Sequence, residues 1–340
     1  METGLAYSCG LILVKGKPTL KAINSEIGMQ IVNLSDFLCE DTSGFDIQNL
    51  FRRQKELCEN NGELVIDEVI VPKENTENME TRVVHCSCQN RQLQGQEFLV
   101  LIWTKGKKTI VVGLLKIEGS GEEGKLNKAV QLVDEFLELD LTVKGLRVDG
   151  WFFKEIFWKK MKSRGIDIIS KPRRDSKWFW GTELNNLKEH AQTIPKESFH
   201  YYTKEQVYAK GIIVATQKYG YCKIVIIKPS RSVSEKDWRY IVSSNTNLSV
   251  REIMNGMKVR WKIEVIFRDC SQNLGLKNCQ CYRNKSSYSH VALVFLTYNY
   301  LSGIKEKEGG SIGKLKRKII ATYNLERTNV LEFMRYENVA

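Results

Sequence analysis

The stretch Ser249–Leu276, SVREIMNGMKVRWKIEVIFRDCSQNLGL, carries the strongest local signal of the chain. Ser249 and Glu252 have the spacing of a capping box, so a helix is predicted to begin here. At about 100° per residue, one face of this helix carries four positions: Met257, Arg260, Glu264 and Ser271. Arg260 and Glu264 alone are typical of an i, i+4 pair on a solvated face, whereas a carboxylate among apolar neighbours also suits a metal.

The size and charge of the chain favour a globular protein with a polyanionic partner. Hydrophobic residues make up 42% and charged residues 27% of the 340 residues, which allows a large core in two domains or in one domain with an insertion. Lys and Arg outnumber Asp and Glu by 52 to 40, a net charge of +12. Nucleic acid is the first candidate for the partner and an anionic membrane the second.

Several classes of protein are not expected. No apolar run is long enough for a transmembrane helix, and no signal peptide is recognisable, so we expect a cytoplasmic protein with no membrane partner. The nine cysteines are expected to be reduced. Their two clusters, Cys86–Cys88 and Cys279–Cys281, lack the spacing usual in zinc sites. Phosphate-binding glycine loops and hydrolase motifs are missing, and four histidines in no constellation argue against His-based nucleophilic chemistry.

The order of elements from Leu64 onward predicts an α/β fold. It reads strand (64–71), hairpin (96–117), helix (125–139), strand ending on Asp149, helix (151–165) and strand (166–171). Three strands followed by α–β units indicate a mixed sheet flanked by helices, compatible with an RNase H-like core. In that core the first strand lies beside the strand that follows the first helix, which makes Asp67 and Asp149 neighbours.

Two neighbouring carboxylates repel each other unless a cation lies between them. The predicted proximity of Asp67 and Asp149 therefore favours metal ligands over the alternative of a strand-end aspartate bonded to backbone. The whole chain is predicted to comprise a helical N-terminal region (1–60), the first part of the core (61–171), a β-rich insertion (172–248) and the Glu264 helix with C-terminal helices (249–340). The basic N-terminal region either contacts DNA or packs with a solvated charged face.

Three blocks of the sequence resemble DDE transposases of the insertion-sequence type. They are LVIDEVIVPK (64–73), LRVDGWFFKEIFWKKMKSRGIDIISKPRRD (146–175) and VRWKIEVIFRDCSQNLGL (259–276). The third is the most specific, because this group carries a Tyr-(2)-Arg-(3)-Glu-(6)-Lys signature around its catalytic glutamate. Arg260 and Glu264 match the signature, but Met257 stands in place of Tyr and Ser271 in place of Lys.

The resemblance implies cut-and-paste DNA transposition by an RNase H-like enzyme. Asp67, Asp149 and Glu264 would hold two Mg²⁺ or Mn²⁺ ions for strand cleavage at inverted-repeat ends and strand transfer into target DNA. The implied partner is double-stranded DNA, both transposon ends and target, bound by a homodimer. Implied or candidate DNA contacts are Arg260, Ser271, Lys73, Lys171, Arg173, Arg174, Lys177, Trp178 and Trp180.

The sequence allows alternative roles for several of these residues and for the whole protein. Trp178 and Trp180 either stack on an extruded base, as in many relatives, or pack in the core. The basic loop around Arg173 and Arg174 either contacts phosphates or is merely solvated. Because Met257 and Ser271 depart from the signature, a DNA-binding protein without catalysis is a second function, and another two-metal nuclease of the same fold is a third.

Overall fold

The structure is a computed structural model that describes residues 2–28, 30–39, 46–73, 81–86, 91–118, 121–172, 176–180, 183–216, 218–231, 233–278, 281 and 283–326. The chain divides into two compact units. The first comprises residues 1–58, 68–128 and 263–340, and the second comprises residues 59–67 and 129–262. Both units are built from segments distant in sequence, and the four-region division of the sequence stays a prediction.

The described residues form the following helices: α1 (Glu2–Leu13), α2 (Leu20–Ile27), α3 (Ile31–Cys39), α4 (Ile47–Glu56), α5 (Glu122–Leu137), α6 (Glu155–Ser163), α7 (Leu187–Thr193), α8 (Val250–Val259), α9 (Trp261–Asn273), α10 (Asn284–Glu308) and α11 (Ile312–Glu326). The strands are β1 (Gly62–Pro72), β2 (Arg82–Cys86), β3 (Arg91–Lys105), β4 (Lys108–Lys116), β5 (Val143–Val148), β6 (Ile168–Ser170), β7 (Lys177–Trp180), β8 (Glu183–Asn186), β9 (His200–Tyr202), β10 (Val207–Thr216), β11 (Gly220–Lys228) and β12 (Arg239–Ser243). None of the helices described is long and apolar enough to cross a membrane.

The first unit packs helices against the β3–β4 hairpin. Residues 98–103 of β3 are fully buried, as the apolar run predicts, and α4 and α10 pack on β4. The N-terminal residues are helical, as expected, and α2 and α4 begin at side-chain caps. Thr19 Oγ1 accepts a bond from the Ala22 N–H, and Asp46 Oδ1 accepts one from the Gln48 N–H. Each cap satisfies a backbone donor that the first helical turn leaves unpaired.

The second unit contains the mixed sheet predicted from the sequence. Its strands lie in the order β1-β5-β6-β12-β11-β10-β7-β8, and β9 pairs with β10. β1, β5 and β6 are parallel to each other, whereas β12, β11 and β10 pair antiparallel. The helix α8 packs on this sheet, contacting β6 and β12 among others. The prediction of a mixed sheet flanked by helices is therefore confirmed.

The predicted β-rich insertion is continuous with this sheet. β12 pairs antiparallel with β6 through Val242–Ser170 and Ser243–Ile169. Polar bonds hold the junction: the Ile168 N–H donates to Ser244 Oγ at 2.8 Å, and Asn245 Nδ2 donates to Asp167 Oδ2 at 2.7 Å. The segment thus extends the sheet that carries Asp149.

The helix predicted to run through Ser249–Leu276 is interrupted. The capping box is present, because the Ser249 N–H donates to Glu252 Oε2 at 2.7 Å and the Glu252 N–H donates to Ser249 Oγ at 3.2 Å. This bonding also lowers the pKa of Glu252. α8 ends at Val259, however, and α9 begins at Trp261. The predicted helix is therefore divided in two at Arg260, which keeps helical φ and ψ angles of −53° and −33° and whose side chain binds Asp67 of β1.

Candidate active site

Two aspartates lie beside each other on adjacent parallel strands of the second unit, Asp67 in the middle of β1 and Asp149 directly after β5. Ile66 of β1 is paired in register with Val148 of β5, so Asp67 and Asp149, one residue further along each strand, are neighbours as predicted. Asp149 is also oriented by its surroundings. Its Oδ1 accepts a bond from the Trp151 N–H at 2.8 Å, and its backbone carbonyl accepts one from Ser170 Oγ at 2.8 Å.

Arg260 is the charge partner of Asp67. Its Nη1 lies 2.8 Å from Asp67 Oδ2, and the two side chains are only 10% and 14% exposed. A hydrogen-bonded ion pair with so little solvent access neutralises the carboxylate locally. In the described state, therefore, the arginine predicted to contact a DNA phosphate is bound to a predicted metal ligand.

A second ion pair lies on the same face of the two strands. Side chains alternate along a strand, so Glu63 and Asp67 of β1 point the same way, as do Arg147 and Asp149. Arg147 Nε donates to Glu63 Oε2 at 2.7 Å. Burial lowers the pKa of Arg147, and the charge and hydrogen bond of Glu63 oppose that shift.

A glycine allows α8 to approach this face closely. A Cβ at Gly256 would lie 2.5 Å from Ile169 Cδ1 and 3.0 Å from Arg147 Nε. Ile253 and Met254 pack on Ile169 in the same cluster. The close approach brings α8 against β5 and β6, and Arg260, which follows α8, reaches Asp67 of β1.

The donor chemistry of the aspartate pair fits a hard divalent cation. Carboxylate oxygens are the ligands that Mg²⁺ and Mn²⁺ prefer, and two of them meet where a cation would relieve their repulsion. Among the residues that the structure describes, no three His, Cys, Asp or Glu side chains are grouped as a metal-binding set. Glu264 is half-buried on α9 in the first unit, and its role as third ligand stays a prediction.

Trp178, predicted either to stack on a base or to pack in the core, is a core residue. Its side chain is fully buried, and its ring stacks on those of Phe153 and Tyr219 at centroid distances of 5.8 and 6.0 Å. Its Nε1 donates to Ser176 Oγ at 2.8 Å. The packing alternative accounts for all of these contacts. The side chain of Trp180 lies outside the described residues, although its backbone belongs to β7.

The predicted DNA-contacting lysines differ in exposure. Lys171 and Lys177 are exposed at the surface of the second unit. Lys73 is 4% exposed, and its Nζ donates to the Cys281 carbonyl at 3.0 Å, so its ammonium is turned into the first unit. Arg173 and Arg174 lie outside the described residues.

Ser271 of α9 is half-buried. Its Oγ has no hydrogen-bond partner among the described residues. The histidine that follows the second cysteine cluster, His290, is fully engaged. Its Nδ1 lies 2.7 Å from Tyr7 Oη and its Nε2 lies 3.2 Å from the Gly275 carbonyl.

A groove of about 750 Å³ lies in the second unit, alongside α8. Its walls come from the turn before β10, the strands β10–β12, the end of α8 and the loop after β6. Met257, Arg260 and Lys171, all singled out from the sequence, line it. So does Glu205, which the sequence did not single out, because it lies in a short polar turn with no motif around it.

Comparison with known proteins identifies the family. The profile of the family described as "Transposase DDE domain" matches residues 111–300, more than half of the chain. The chain belongs to the DDE transposase family. The matched range contains Asp149 and Glu264, whereas Asp67 precedes it. The predictions of a transposase family, a DNA transposase and an enzyme are thereby confirmed, while the insertion-sequence type and the signature assignment stay predictions.

Two solved transposase structures are similar to this DDE transposase. One is a piggyBac transposase synaptic complex with hairpin DNA, with a TM-score of 0.49, 13% identity, and coverage of 100% of this chain and 73% of that chain. The other is a Drosophila P element transposase strand transfer complex, with a TM-score of 0.25, 8% identity, and coverage of 93% and 84%. No curated protein matches the chain. Enzymes of the DDE transposase family use divalent metal ions.

Sequence reasoning missed Glu63 and Arg147 beside the aspartates. Their signal was present in the strand alternation, since each lies an even number of residues before its aspartate. The pattern within a single strand does not reveal this pairing, because a buried ion pair between strands depends on their register. Only the β1–β5 register brings Glu63 and Arg147 together.

Proposed function

We propose that this DDE transposase cleaves DNA at the inverted-repeat ends of its element and joins those ends to target DNA. The observation that carries the proposal is the placement of Asp67 in the middle of β1 beside Asp149, which directly follows the adjacent parallel strand β5 within the family's domain. Double-stranded DNA is the proposed substrate, and a homodimer is the proposed assembly, since two ends require two sites. We also propose a cytoplasmic location.

Asp67, Asp149 and Glu264 are the proposed ligands of two Mg²⁺ or Mn²⁺ ions. When bound, such ions polarise the attacking and leaving oxygens of an in-line displacement at phosphorus. The protein contributes the fixed orientation of the ligand side chains. The Trp151 N–H holds Oδ1 of Asp149 at 2.8 Å. A carboxylate fixed in this way loses little conformational freedom on binding a cation.

Arg260 has two proposed partners that exclude each other. In the described state it neutralises Asp67. A guanidinium also forms bidentate bonds with phosphate, and Arg260 lines the groove that is open to solvent. On this proposal a DNA phosphate takes Arg260 and leaves the Asp67 carboxylate to a cation.

A second function is supported by the same ion pair. A protein in which Arg260 permanently occupied Asp67 would bind DNA on this fold without cleaving it. The presence of Met257 and Ser271 in place of the signature residues also favours DNA binding without cleavage. The two functions differ in whether any metal-dependent cleavage depends on the aspartates.

The test is cleavage of DNA carrying the inverted repeats of the element, with Mg²⁺ or Mn²⁺ present. Asp149→Asn is the sharpest variant, because an asparagine oxygen can still accept the Trp151 N–H while the negative charge is lost. Asp237→Asn, at an exposed position of the same unit, is the matched control. We expect the control to cleave like wild type and Asp149→Asn to lose at least about a hundredfold in rate.

The outcomes separate the alternatives. Equal cleavage by wild type and Asp149→Asn would exclude the proposed catalytic role of Asp149. Binding of the repeats without cleavage by either protein selects the DNA-binding function. Cleavage with no joining to target DNA selects a two-metal nuclease.

A further inference from the structure

The Glu63 carboxylate of β1 lies on the same face of the strand as Asp67, four residues before it. At about 3.3 Å per residue the two positions are roughly 13 Å apart, too far for Glu63 and Asp67 to share one cation. The Glu63 side chain is 21% exposed and accepts a bond from Arg147 Nε at 2.7 Å. Glu63 is therefore not a ligand of the metal site, and its pair with Arg147 needs another explanation.

Arg147, the partner of Glu63, occupies a niche made by two glycines. A Cβ at Gly145 of β5 would lie 2.8 Å from Arg147 Nη1, and a Cβ at Gly256 of α8 would lie 3.0 Å from Arg147 Nε. Gly145 also has a φ of +133°, which residues with a side chain rarely adopt. A larger residue at either position would displace the guanidinium. The Glu63–Arg147 pair is thus packed directly under the last turn of α8.

A second cation near Glu63 is Lys262, at the start of α9. Lys262 is half-buried, and burial lowers its pKa, whereas the charge of Glu63 opposes that shift. Gly256 precedes Arg260 by about one helical turn, and Lys262 follows Arg260 by two residues. Glu63 therefore interacts with the chain on both sides of Arg260, at the point where α8 ends and α9 begins.

The ion pair of Arg260 with Asp67 depends on the position of this junction. Arg260 Nη1 lies 2.8 Å from Asp67 Oδ2, so a shift of the junction by roughly 1 Å would stretch the bond beyond hydrogen-bond distance. An arginine side chain also loses rotamer freedom when it is held in one place. A fixed junction lowers the cost of this pair, because the backbone that carries Arg260 is already in position.

We propose that Glu63 is a positioning residue of the active site, which holds the junction of α8 and α9 so that Arg260 stays on Asp67. Loss of the Glu63 charge would release the two cations that flank Arg260, and the guanidinium would then leave Asp67 more often. Glu63 thereby sets how strongly Arg260 competes with a cation for Asp67. The inference rests on the proposed function only for the assignment of Asp67 as a metal ligand.

Chemical modification of arginine measures the release of Arg260 directly. The full chain in EDTA is treated with phenylglyoxal, which reacts faster with guanidinium groups that are not held in ion pairs, and each arginine is followed by mass spectrometry. Glu63→Gln is the decisive variant, because its amide oxygen can still accept from Arg147 while the charge is lost. Asp134→Asn is the matched control, since Asp134 pairs with Arg164 in the same unit.

We expect Glu63→Gln to speed the modification of Arg260 by about fivefold and to leave that of Arg164 unchanged, whereas Asp134→Asn should do the reverse. Lys262→Met removes one of the two cations without changing β1 and should speed the modification of Arg260 by about twofold. An unchanged rate at Arg260 in Glu63→Gln would overturn the assignment. If Glu63→Gln loosens the whole unit, so that Arg164 also reacts faster, an unchanged Arg260 in Lys262→Met would overturn it.

Calorimetric titration with Mn²⁺ distinguishes positioning from a direct effect of charge. Loss of a negative charge near Asp67 weakens cation binding through space, whereas release of Arg260 strengthens it. We expect Glu63→Gln to bind Mn²⁺ about threefold more tightly than wild type, and to show no such gain when combined with Arg260→Ala. Weaker binding by Glu63→Gln, or the same gain with and without Arg260, would overturn the positioning role.

The outcome is separable from that of the cleavage test, since modification in EDTA requires neither DNA nor a metal. If wild type cleaves inverted-repeat DNA but the reactivity of Arg260 does not depend on Glu63, the proposed function stands and the positioning role fails. If the reactivity of Arg260 depends on Glu63 but wild type does not cleave, the positioning role stands and the proposed function fails.

Discussion

Arg260, directly after α8, and Asp67, in the middle of β1, form a 2.8 Å ion pair with little solvent access. A predicted phosphate contact and a predicted metal ligand thus neutralise each other in the protein alone. Any cation that binds Asp67 competes with the guanidinium. We therefore expect metal binding and the position of Arg260 to be coupled.

Replacement of Arg260 by alanine should expose this competition. The variant leaves the Asp67 carboxylate half-buried without its arginine, which should lower the free energy of unfolding by about 3 kcal/mol. A divalent ion can then compensate that charge. We expect Mn²⁺ to raise the melting temperature of Arg260→Ala more than that of wild type, with a higher affinity for Mn²⁺ in calorimetric titration of the free protein.

Arg251→Ala, at an exposed position earlier on α8, is the control and should respond to Mn²⁺ as wild type does. Asp67→Asn combined with Arg260→Ala should abolish the extra Mn²⁺ response. A single Arg260→Ala variant that binds Mn²⁺ no better than wild type would contradict the competition.

Trp178 should matter for stability rather than for DNA contact. Because its buried ring stacks on Phe153 and Tyr219, Trp178→Ala should lower the free energy of unfolding by about 3–5 kcal/mol. Trp261→Ala removes an exposed ring of the same type and should change the free energy of unfolding by less than about 0.5 kcal/mol. Urea denaturation of the two variants measures both values, and similar losses in both would contradict the assignment of Trp178 to the core.

Two helical glycines should respond oppositely to alanine. At Gly256 the new Cβ meets buried Ile169 and Arg147, so overpacking should cost about 1–3 kcal/mol despite the better helix propensity of alanine. At Gly303 of α10, which has no atom within 4 Å of a built Cβ, the same change should stabilise by up to about 1 kcal/mol. Denaturant unfolding of both variants gives the two signs, and a stabilised Gly256→Ala would refute the close approach of α8.

Lys316 should make stability depend on pH. Its Nζ is bound by the Leu11 and Asn273 carbonyls, and burial lowers its pKa from 10.5 to about 8. Between these values the unfolded chain holds a proton that the folded protein has released, so the contribution of Lys316 to stability rises with pH. The contribution is complete above about pH 10.5 and is lost as the pH falls through about 8, a change of up to about 3 kcal/mol.

The comparison of variants isolates this effect from other groups. Burial raises the pKa of Cys9 and Cys222 from 9.0 to about 12, which lowers stability above pH 9 in every variant. Lys15 and Arg317 line the same cavity as Lys316. Both are present in the wild type and in every variant, so their effects cancel in the comparison. The wild-type minus Lys316→Met difference in free energy of unfolding should therefore rise between about pH 8 and 10.5, while the same difference for exposed Lys318→Met stays flat.

The sequence predicted those features that follow from local patterns and chain order. The capping box at Ser249 was visible as a spacing, and the pairing of β1 with β5 followed from the order of strands and helices. The prediction that Asp67 and Asp149 are neighbours used both the local strand patterns and the order of strands and helices. These features depend on the backbone and on hydrophobic patterning, which one sequence displays directly.

The remaining features depend on partners distant in the sequence. The break at Arg260 could not be predicted from helical periodicity, because the residue that it binds lies on another element. The burial of Lys73 was hidden for the same reason, since a lysine in a basic chain predicts a surface position until the Cys281 carbonyl is placed beside it. Glu205 belongs to no sequence pattern, and only the folded structure shows that it lines the groove beside α8.

The antiparallel junction of β6 and β12 also has a consequence for synthesis. β6 is complete about 70 residues before its partner β12 emerges, which at ~5–20 residues per second corresponds to several seconds of translation. During that interval the outer edge of β6 presents unpaired N–H and C=O groups, a template for pairing with another nascent chain. The yield of folded protein should therefore depend on how quickly the ribosome traverses the segment between the two strands, and slow codons there should favour aggregation.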